Sequence, residues 1–323
     1  MNITASIKNQ ILETRFIRTC CQNAFLSGVA RGAGRLALAS DGFGLVIQHA
    51  SPHLIDKCAN LITKITGEEP QIIKKNKDES FGQREVFELS LAGPNATKLL
   101  MASALIDSEY SFSERPLNDF LKLDCCKKSY IKGLFAASGN LLISEEYDDD
   151  DARSTGYLLE IFLGDTRIAE SVKTLLTDAG VPIKLRQKSG RTILYLKDSQ
   201  AICDFCAYVE SSDGYFALQN VIVARNCKNN ITRKVNWEMA NMDRSQSASQ
   251  KQLDAILKIE QTIGLKNIPY PLQDVAIARR NNPALSIPEL LLKIPNPPSK
   301  SGLNHRMRKL IEIASTLEDA PDK

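Results

Sequence analysis

The sequence predicts an α+β protein: a duplicated αββαββα domain with pseudo-two-fold symmetry, followed by an all-α domain punctuated as a helix-turn-helix. Three observations predict it. The segment CCQNAFLSGVARGAGRL at residues 20–36 returns as CCKKSYIKGLFAASGNL at 125–141, and a constant offset of 105 means duplication. The segments after each copy then follow in the same order of helical and strand periodicity. Beyond residue 213 the charge balance reverses, with 16 lysines and arginines against 10 acids where residues 1–213 carry 25 against 28.

Each copy opens on a helix. Cys20/Cys125, Cys21/Cys126, Gly28/Gly133, Gly34/Gly139 and Leu36/Leu141 are identical, and Phe25/Tyr130, Leu26/Ile131 and Val29/Leu134 are close equivalents. Copy one continues with strands in LALASDGFGLVIQ and a helix in HLIDKCANLITKITG, where Leu54, Cys58, Leu61, Ile62 and Ile65 share a face. A hairpin from QIIKKN and REVFELSL follows, with Val86, Leu89 and Leu91 in near alternation, and then a helix in ATKLLMASALI. Copy two repeats the order: strands in LLISEEY and GYLLEIFLG, a helix in TRIAESVKTLLTDAG carried by Ile168, Val172, Leu175 and Leu176, a hairpin in IKLRQKSGRTILYL with Ile193, Tyr195 and Leu196, and a helix in QAICDFCAYVE. The expected domain spans residues 1–217, with halves at about 15–110 and 120–213.

Inside each opening helix a small residue recurs four positions after the shared glycine, Gly28 to Gly32 and Gly133 to Ala137. Positions i and i+4 share a helix face, so two such faces can approach until their backbones nearly touch. Gly28, Gly32, Gly34, Gly133, Ala137 and Gly139 are therefore the expected repeat interface. LSGVARGAG and IKGLFAASG resemble the LAGLIDADG motif of homing endonucleases. That resemblance implies two motif helices at a central interface, each with an acidic metal ligand near its C-terminal end. The ligand positions fall on Ala33 and Ser138. Neither a methyl group nor a neutral hydroxyl suits the hard cations of phosphodiester cleavage, so no catalytic residue, metal or cofactor is expected.

Composition narrows the function classes. A chain of 323 residues that is 43% hydrophobic can bury a good core. The first residues lack an apolar signal region and no run approaches the ~18 residues that span a bilayer, so the expectation is a cytoplasmic protein without membrane contact. The vicinal pairs Cys20-Cys21 and Cys125-Cys126 are expected to be structural, because sequence neighbours rarely suit disulfide geometry. Cys203 and Cys206 have CxxC spacing, but they fall in a helix with no second pair to complete a zinc site. No nucleophile elbow, phosphate loop or dinucleotide fingerprint is present.

The C-terminal domain is read from its punctuation. Residues 218–250 form a linker helix region, and 251–323 an all-helical domain with its motif at about 272–316. Leu272 to Arg280 is a short helix after Pro271. Ser286 and Glu289 make a capping box that opens SIPELLLKI, and Pro295, Pro297 and Pro298 stop it. A third helix begins near Ser299 or Ser301, with Leu303, Met307, Leu310, Ile311 and Ala314 as its apolar stripe. Asn304, His305, Arg306, Arg308 and Lys309 are left to solvent on a segment with no acid, a face that favours a phosphate backbone.

SKSGLNHRMRKL, the capped SIPELLLKI helix and the upstream ITRKVNWEMANMDRS, with Asn236, Glu238 and Asn241, resemble the WhiA family of bacterial regulators, in which a degenerate LAGLIDADG domain precedes a helix-turn-helix. The chain departs from the pattern at Trp237 and in AASG of the second motif. The resemblance implies a nucleoid-associated, sequence-specific DNA-binding regulator tied to cell division, chromosome segregation and, in spore formers, sporulation. Lys300, Ser301, Gly302, Asn304, His305 and Arg306 match its recognition-helix motif. Amide and guanidinium groups can read adenine and guanine edges, so Asn304 and Arg306 are the expected base readers; Lys300, Arg308 and Lys309 are expected on phosphate, and Gly302 at a close backbone approach. His305 suits a DNA contact or a local cap equally. The acidic run Glu145 to Asp151 would repel phosphate, while Lys74, Lys75, Lys77, Lys184, Arg186, Lys188 and Arg191 on the hairpins would attract it. The expected partners are double-stranded DNA for the C-terminal domain and a protein, such as a transcription co-regulator or RNA polymerase component, for the first. The rival reading is an active LAGLIDADG-type endonuclease or RNA maturase using Asp41 and Asp148.

Overall fold

The computed structural model describes residues 2–39, 42–78, 84–107, 120–144, 156–188 and 190–317. They form two compact units, residues 1–224 and 225–323, each with its own core.

In the first unit, α1 (Ile3–Glu13) precedes the repeats. The repeat pattern gives residues 2–16 no element, yet Asn2 caps the helix by accepting from Ala5 N at 3.2 Å, and Ile3, Ile7 and Ile11 form a buried i, i+4, i+8 stripe. The first repeat is α2 (Thr19–Ala33), β1 (Gly34–Ala39), β2 (Gly42–His49), α3 (Pro52–Thr66), β3 (Gln71–Asp78), β4 (Arg84–Leu91) and α4 (Pro94–Ala102). The second is α5 (Asp124–Ser138), β5 (Gly139–Ile143), β6 (Tyr157–Leu163), α6 (Thr166–Asp178), β7 (Lys184–Lys188), β8 (Arg191–Leu196) and α7 (Ser199–Tyr208). Both are αββαββα, and both build an antiparallel sheet of the same order, β1-β2-β4-β3 and β5-β6-β8-β7. Leu54, Cys58, Leu61 and Ile62 of α3 and Val172, Leu175 and Leu176 of α6 are buried, as their spacing requires, while Ile65 and Ile168 pack half-buried at the core edge.

Helices α2 and α5 pack along one another at the centre. A Cβ on Gly28 would lie 2.1 Å from the Tyr130 carbonyl oxygen, and one on Gly133 would lie 2.1 Å from that of Phe25. Phe25 and Tyr130 are the duplicated pair, so the two contacts are one contact repeated by the pseudo-two-fold. A Cβ on Gly32 would meet the Ala137 methyl and the Ser138 hydroxyl across the same seam. Gly34 and Gly139 behave differently from the expected interface. The atoms that crowd them belong to their own helices, Ala30 backbone for Gly34 and the Phe135 ring for Gly139. These two glycines let the chain leave each helix directly into a strand.

One charge is buried beside this seam. Lys132 Nζ sits 2.7 Å from the Glu210 carboxylate and 3.4 Å from Thr14 Oγ1. The hydrogen bond from Lys132, aided by Lys128, holds the Glu210 carboxyl below the usual carboxylate range. The chain then enters α8 (Ser212–Thr262), one continuous helix of 51 residues that contains the whole segment 218–250.

Candidate nucleic-acid interface

The second unit closes its core with the end of α8 and three shorter helices: α9 (Tyr270–Asn281), α10 (Ile287–Leu291) and α11 (Lys300–Thr316). Ala255, Ile256 and Ile259 of α8 meet Leu272, Val275 and Ala276 of α9, Leu290 of α10, and Leu303, Met307, Leu310 and Ala314 of α11. Ile311, assigned to the same stripe by its spacing, is 37% exposed instead. Each helix start is set locally. Pro271 stands in the first turn of α9, Ser286 and Glu289 form the capping box of α10, and Ser299 Oγ accepts from Gly302 N at 3.1 Å to cap α11. Helix α10 stops at Leu291, short of the expected SIPELLLKI run, because the chain turns to bury Ile294 while Leu292 stays exposed.

A buried arginine fixes the turn between α9 and α10. Arg279 is 1% exposed, and its Nη1 donates to Leu285 O at 2.6 Å and to Ser249 Oγ at 3.1 Å, with the Asn282 and Pro283 carbonyls at 3.5 and 3.4 Å. Burial lowers its pKa from the ordinary arginine value. Ser249 also donates to the Pro283 carbonyl. Arg279→Met keeps most of the volume and strips these carbonyls of their donor, so it is expected to destabilise the second unit by about 2–4 kcal/mol. Amide hydrogen exchange checks this: protection should fall in α9 to α11 and stay unchanged in α2 and α5.

Helix α11 presents its outer face as the sequence pattern requires, with one change, at Arg306. Lys300, Ser301, His305, Arg308 and Lys309 are exposed, and Asn304 is half-buried beside them. Lys300, Ser301, Asn304, His305 and Arg308 follow one stripe, and Lys309 flanks it. Arg306, expected free in solvent, is half-buried and donates from Nη1 to Pro271 O at 3.2 Å, tying α11 to the start of α9. Gly302 is close to its own cap: a Cβ there would meet Ser299 Oγ at 3.2 Å and Pro298 Cβ at 3.3 Å.

The ends of α2 and α5, where the motif would hold its acids, carry different chemistry. Ala33 packs half-buried against the core, and Ser138 Oγ donates back to Leu134 O at 3.1 Å. A cavity of about 330 Å³ at the end of α2 is lined by Arg31, Arg35, Arg167 and a single acid, Asp165, which caps α6 by accepting from Arg167 N. Asp41, Asp148 and the Glu145–Asp151 run lie outside the described residues. The basic hairpin residues are partly neutralised: Lys75 and Arg35 contact Glu88, Lys74 lies 2.9 Å from Glu85, and Arg186 pairs with Glu160. The Lys75 hydrogen bond leads in holding Glu88 below the usual carboxylate range.

Residues 127–228 match the family model of the WhiA LAGLIDADG-like domain, and residues 231–314 match that of the WhiA C-terminal HTH domain. The chain belongs to the WhiA family. Proteins described as probable cell division protein WhiA from Heliobacterium modesticaldum and Oceanobacillus iheyensis are each 29% identical to it. The first aligns over 319 residues, 98% of this chain and 97% of its own, and the second over 328 residues, 98% of both. Full-length WhiA from Thermotoga maritima, at 20% identity and a TM-score of 0.56, shares the fold over 97% of this chain and 98% of its own. The WhiA architecture of this chain is thus an α+β LAGLIDADG-like domain followed by a helical HTH domain. No described helix is long and apolar enough to cross a membrane.

Proposed function

We propose that this WhiA-family protein is a sequence-specific, non-catalytic DNA-binding regulator of transcription that acts on the nucleoid. The carrying observation is the outer face of α11, where Lys300, Asn304, His305 and Arg308 stand exposed or half-exposed on one stripe over a fully buried apolar face. Lys300, Arg308 and Lys309 contact phosphate, and Asn304 reads base edges at the helix's N-terminal end. Arg306 acts as a positioning residue through Pro271. The relatives' description as probable cell division proteins supports placing the regulated genes in cell division, with chromosome segregation and sporulation as extensions of the same programme. The first unit, with Glu88 and Glu160 neutralising its hairpin cations, serves better as a docking surface for a component of the transcription machinery than as a phosphate cradle.

Selection of duplexes from a random pool by the purified full chain tests the reading, and a single enriched sequence is expected. Incubation with supercoiled plasmid and Mg²⁺ or Mn²⁺ tests the absence of catalysis. The plasmid should remain supercoiled; cleavage that copurifies with the protein and disappears on Asp41→Asn or Asp148→Asn would overturn the non-catalytic assignment.

A further inference from the structure

Half of the eight cysteines occupy equivalent places in the two repeats. Cys20 and Cys21 lie in the first turn of α2, and Cys125 and Cys126 in the first turn of α5. Packing of α2 along α5 brings these turns together. The Sγ atoms of Cys20, Cys21 and Cys126 lie within 4.8 Å of one another, the group of potential metal-ligand atoms found among the described residues. Cys125 stands outside that group, next to Cys126 in the first turn of α5, and lines one cleft with Cys21. The arrangement obeys the pseudo-two-fold: the offset of 105 converts Cys20 beside Cys126 into Cys125 beside Cys21.

A second feature points the same way. Neither helix has a side-chain N-cap: Arg18 and Leu123, at the two cap positions, make no capping hydrogen bond. The positive ends of two helix dipoles therefore converge on the thiols and favour negative charge there, against the burial that pushes the Cys21 and Cys126 thiols up. Cys20 is exposed, and a surface cleft lined by Cys21 and Cys125 with Arg18, Lys128, Asp124 and Glu210 opens on the cluster. An ion has an entry path, and side chains of both charges stand around it.

We propose that Cys20, Cys21, Cys125 and Cys126 form a tetrathiolate site for a zinc-class divalent ion that clamps the N-terminal ends of α2 and α5. A tetrahedral ion with metal–sulfur bonds of about 2.3 Å holds its sulfurs roughly 3.8 Å apart, close to the spacing of Cys20, Cys21 and Cys126, and rotation of the Cys125 side chain supplies the fourth ligand. Soft thiolate donors select zinc-class ions over the hard cations of nucleases. Each thiol that ligates releases its proton to solvent, and no bond is oxidised or reduced. The ion's two positive charges leave a net charge of two negative on the cluster, which the helix ends and Arg18 offset. The site lies at the opposite end of each 15-residue helix from Ala33 and Ser138, about 20 Å away, so it is separate from the lost nuclease centre. Sequence neighbours alone conceal it, because each repeat supplies only one vicinal pair.

The test uses the full chain, reduced and stripped of metal with a chelator, titrated with Co²⁺ and then Zn²⁺. One equivalent of Co²⁺ should produce thiolate-to-cobalt charge-transfer bands and the intense ligand-field bands of a tetrahedral site, and Zn²⁺ should displace it. Native mass spectrometry should show one zinc per chain. Cys20→Ser with Cys125→Ser changes the less buried thiols and should weaken binding ~100-fold or more, with the far-ultraviolet circular dichroism of the parent. If that pair unfolds, Cys20→Ser alone, at an exposed thiol, reads the same loss. Cys227→Ser, at an exposed cysteine of α8, should leave binding intact. Absence of the cobalt bands in the parent overturns the site, as does their survival in the Cys20/Cys125 variant. A mass loss of two hydrogens per cross-repeat disulfide, with no metal taken up, overturns it as well.

Discussion

Gly28→Ala is expected to destabilise the first unit by about 3 kcal/mol or more, a large effect for a single added methyl. The added Cβ would lie 2.1 Å from Tyr130 O and 2.7 Å from Leu134 N, and both atoms are backbone. No rotamer change relieves such a contact, so α2 and α5 must separate. Separation loosens Phe25, Leu26, Val29, Tyr130, Ile131 and Leu134 together, all of them fully buried. Gly133→Ala should cost a similar amount, since its Cβ would meet Phe25 O at the same 2.1 Å. The double variant should cost less than both single effects added, because one separation relieves both clashes. Gly164→Ala, with no atom within 4 Å of its Cβ, should stay within about 0.5 kcal/mol of the parent. Thermal unfolding of the four proteins checks this, at about 2–4 °C per kcal/mol for a unit of this size. A Gly28→Ala variant that melts with the Gly164→Ala control would show that the seam is not closed.

The same seam shows what the sequence makes legible. Duplication alone locates Gly28 and Gly133, because only glycine tolerates a helix backbone pressed on another. Local chemistry likewise announces the capping box at Ser286 and Glu289 and the stripe Leu303, Met307, Leu310 and Ala314, since each signal lies within a few residues of its partner. What stays hidden depends on distant partners. Gly34 and Gly139 share the motif's spacing, yet they serve the exit from the helix, a role only the strand geometry reveals. Arg306 reads as solvent-facing until Pro271, 35 residues earlier, accepts its hydrogen bond. The continuous α8 is polar along much of its length and carries no cap signal inside, so its pattern reads as a linker. The clustered thiols of Cys20, Cys21 and Cys126 come together only because α2 and α5 pack in register, which no local spacing encodes.

Substitutions on α11 should separate affinity from specificity. Arg308→Ala or Lys309→Ala removes an exposed cation from the helix face, with no packing lost. Binding should weaken almost equally on all duplexes, and the slope of log affinity against log salt should fall by about 1, because one phosphate contact and its released counterion are gone. Asn304→Ala should cost roughly 1–3 kcal/mol on the selected site and little on random DNA, since a base-edge contact exists only in the specific complex. Arg306→Ala provides the discriminating case. As a base reader, the role its residue type suggests, it would lose only specific affinity. As the anchor to Pro271 O that the geometry gives it, its loss lets α11 shift on α9, so specific and non-specific binding should fall together and the melting of the second unit should drop. Titrations at two salt concentrations, on the selected site and on a scrambled one, resolve these outcomes. If all four variants keep parental affinity on both duplexes, α11 is no more than the solvated face of a small helical bundle, and the DNA-binding assignment fails with it.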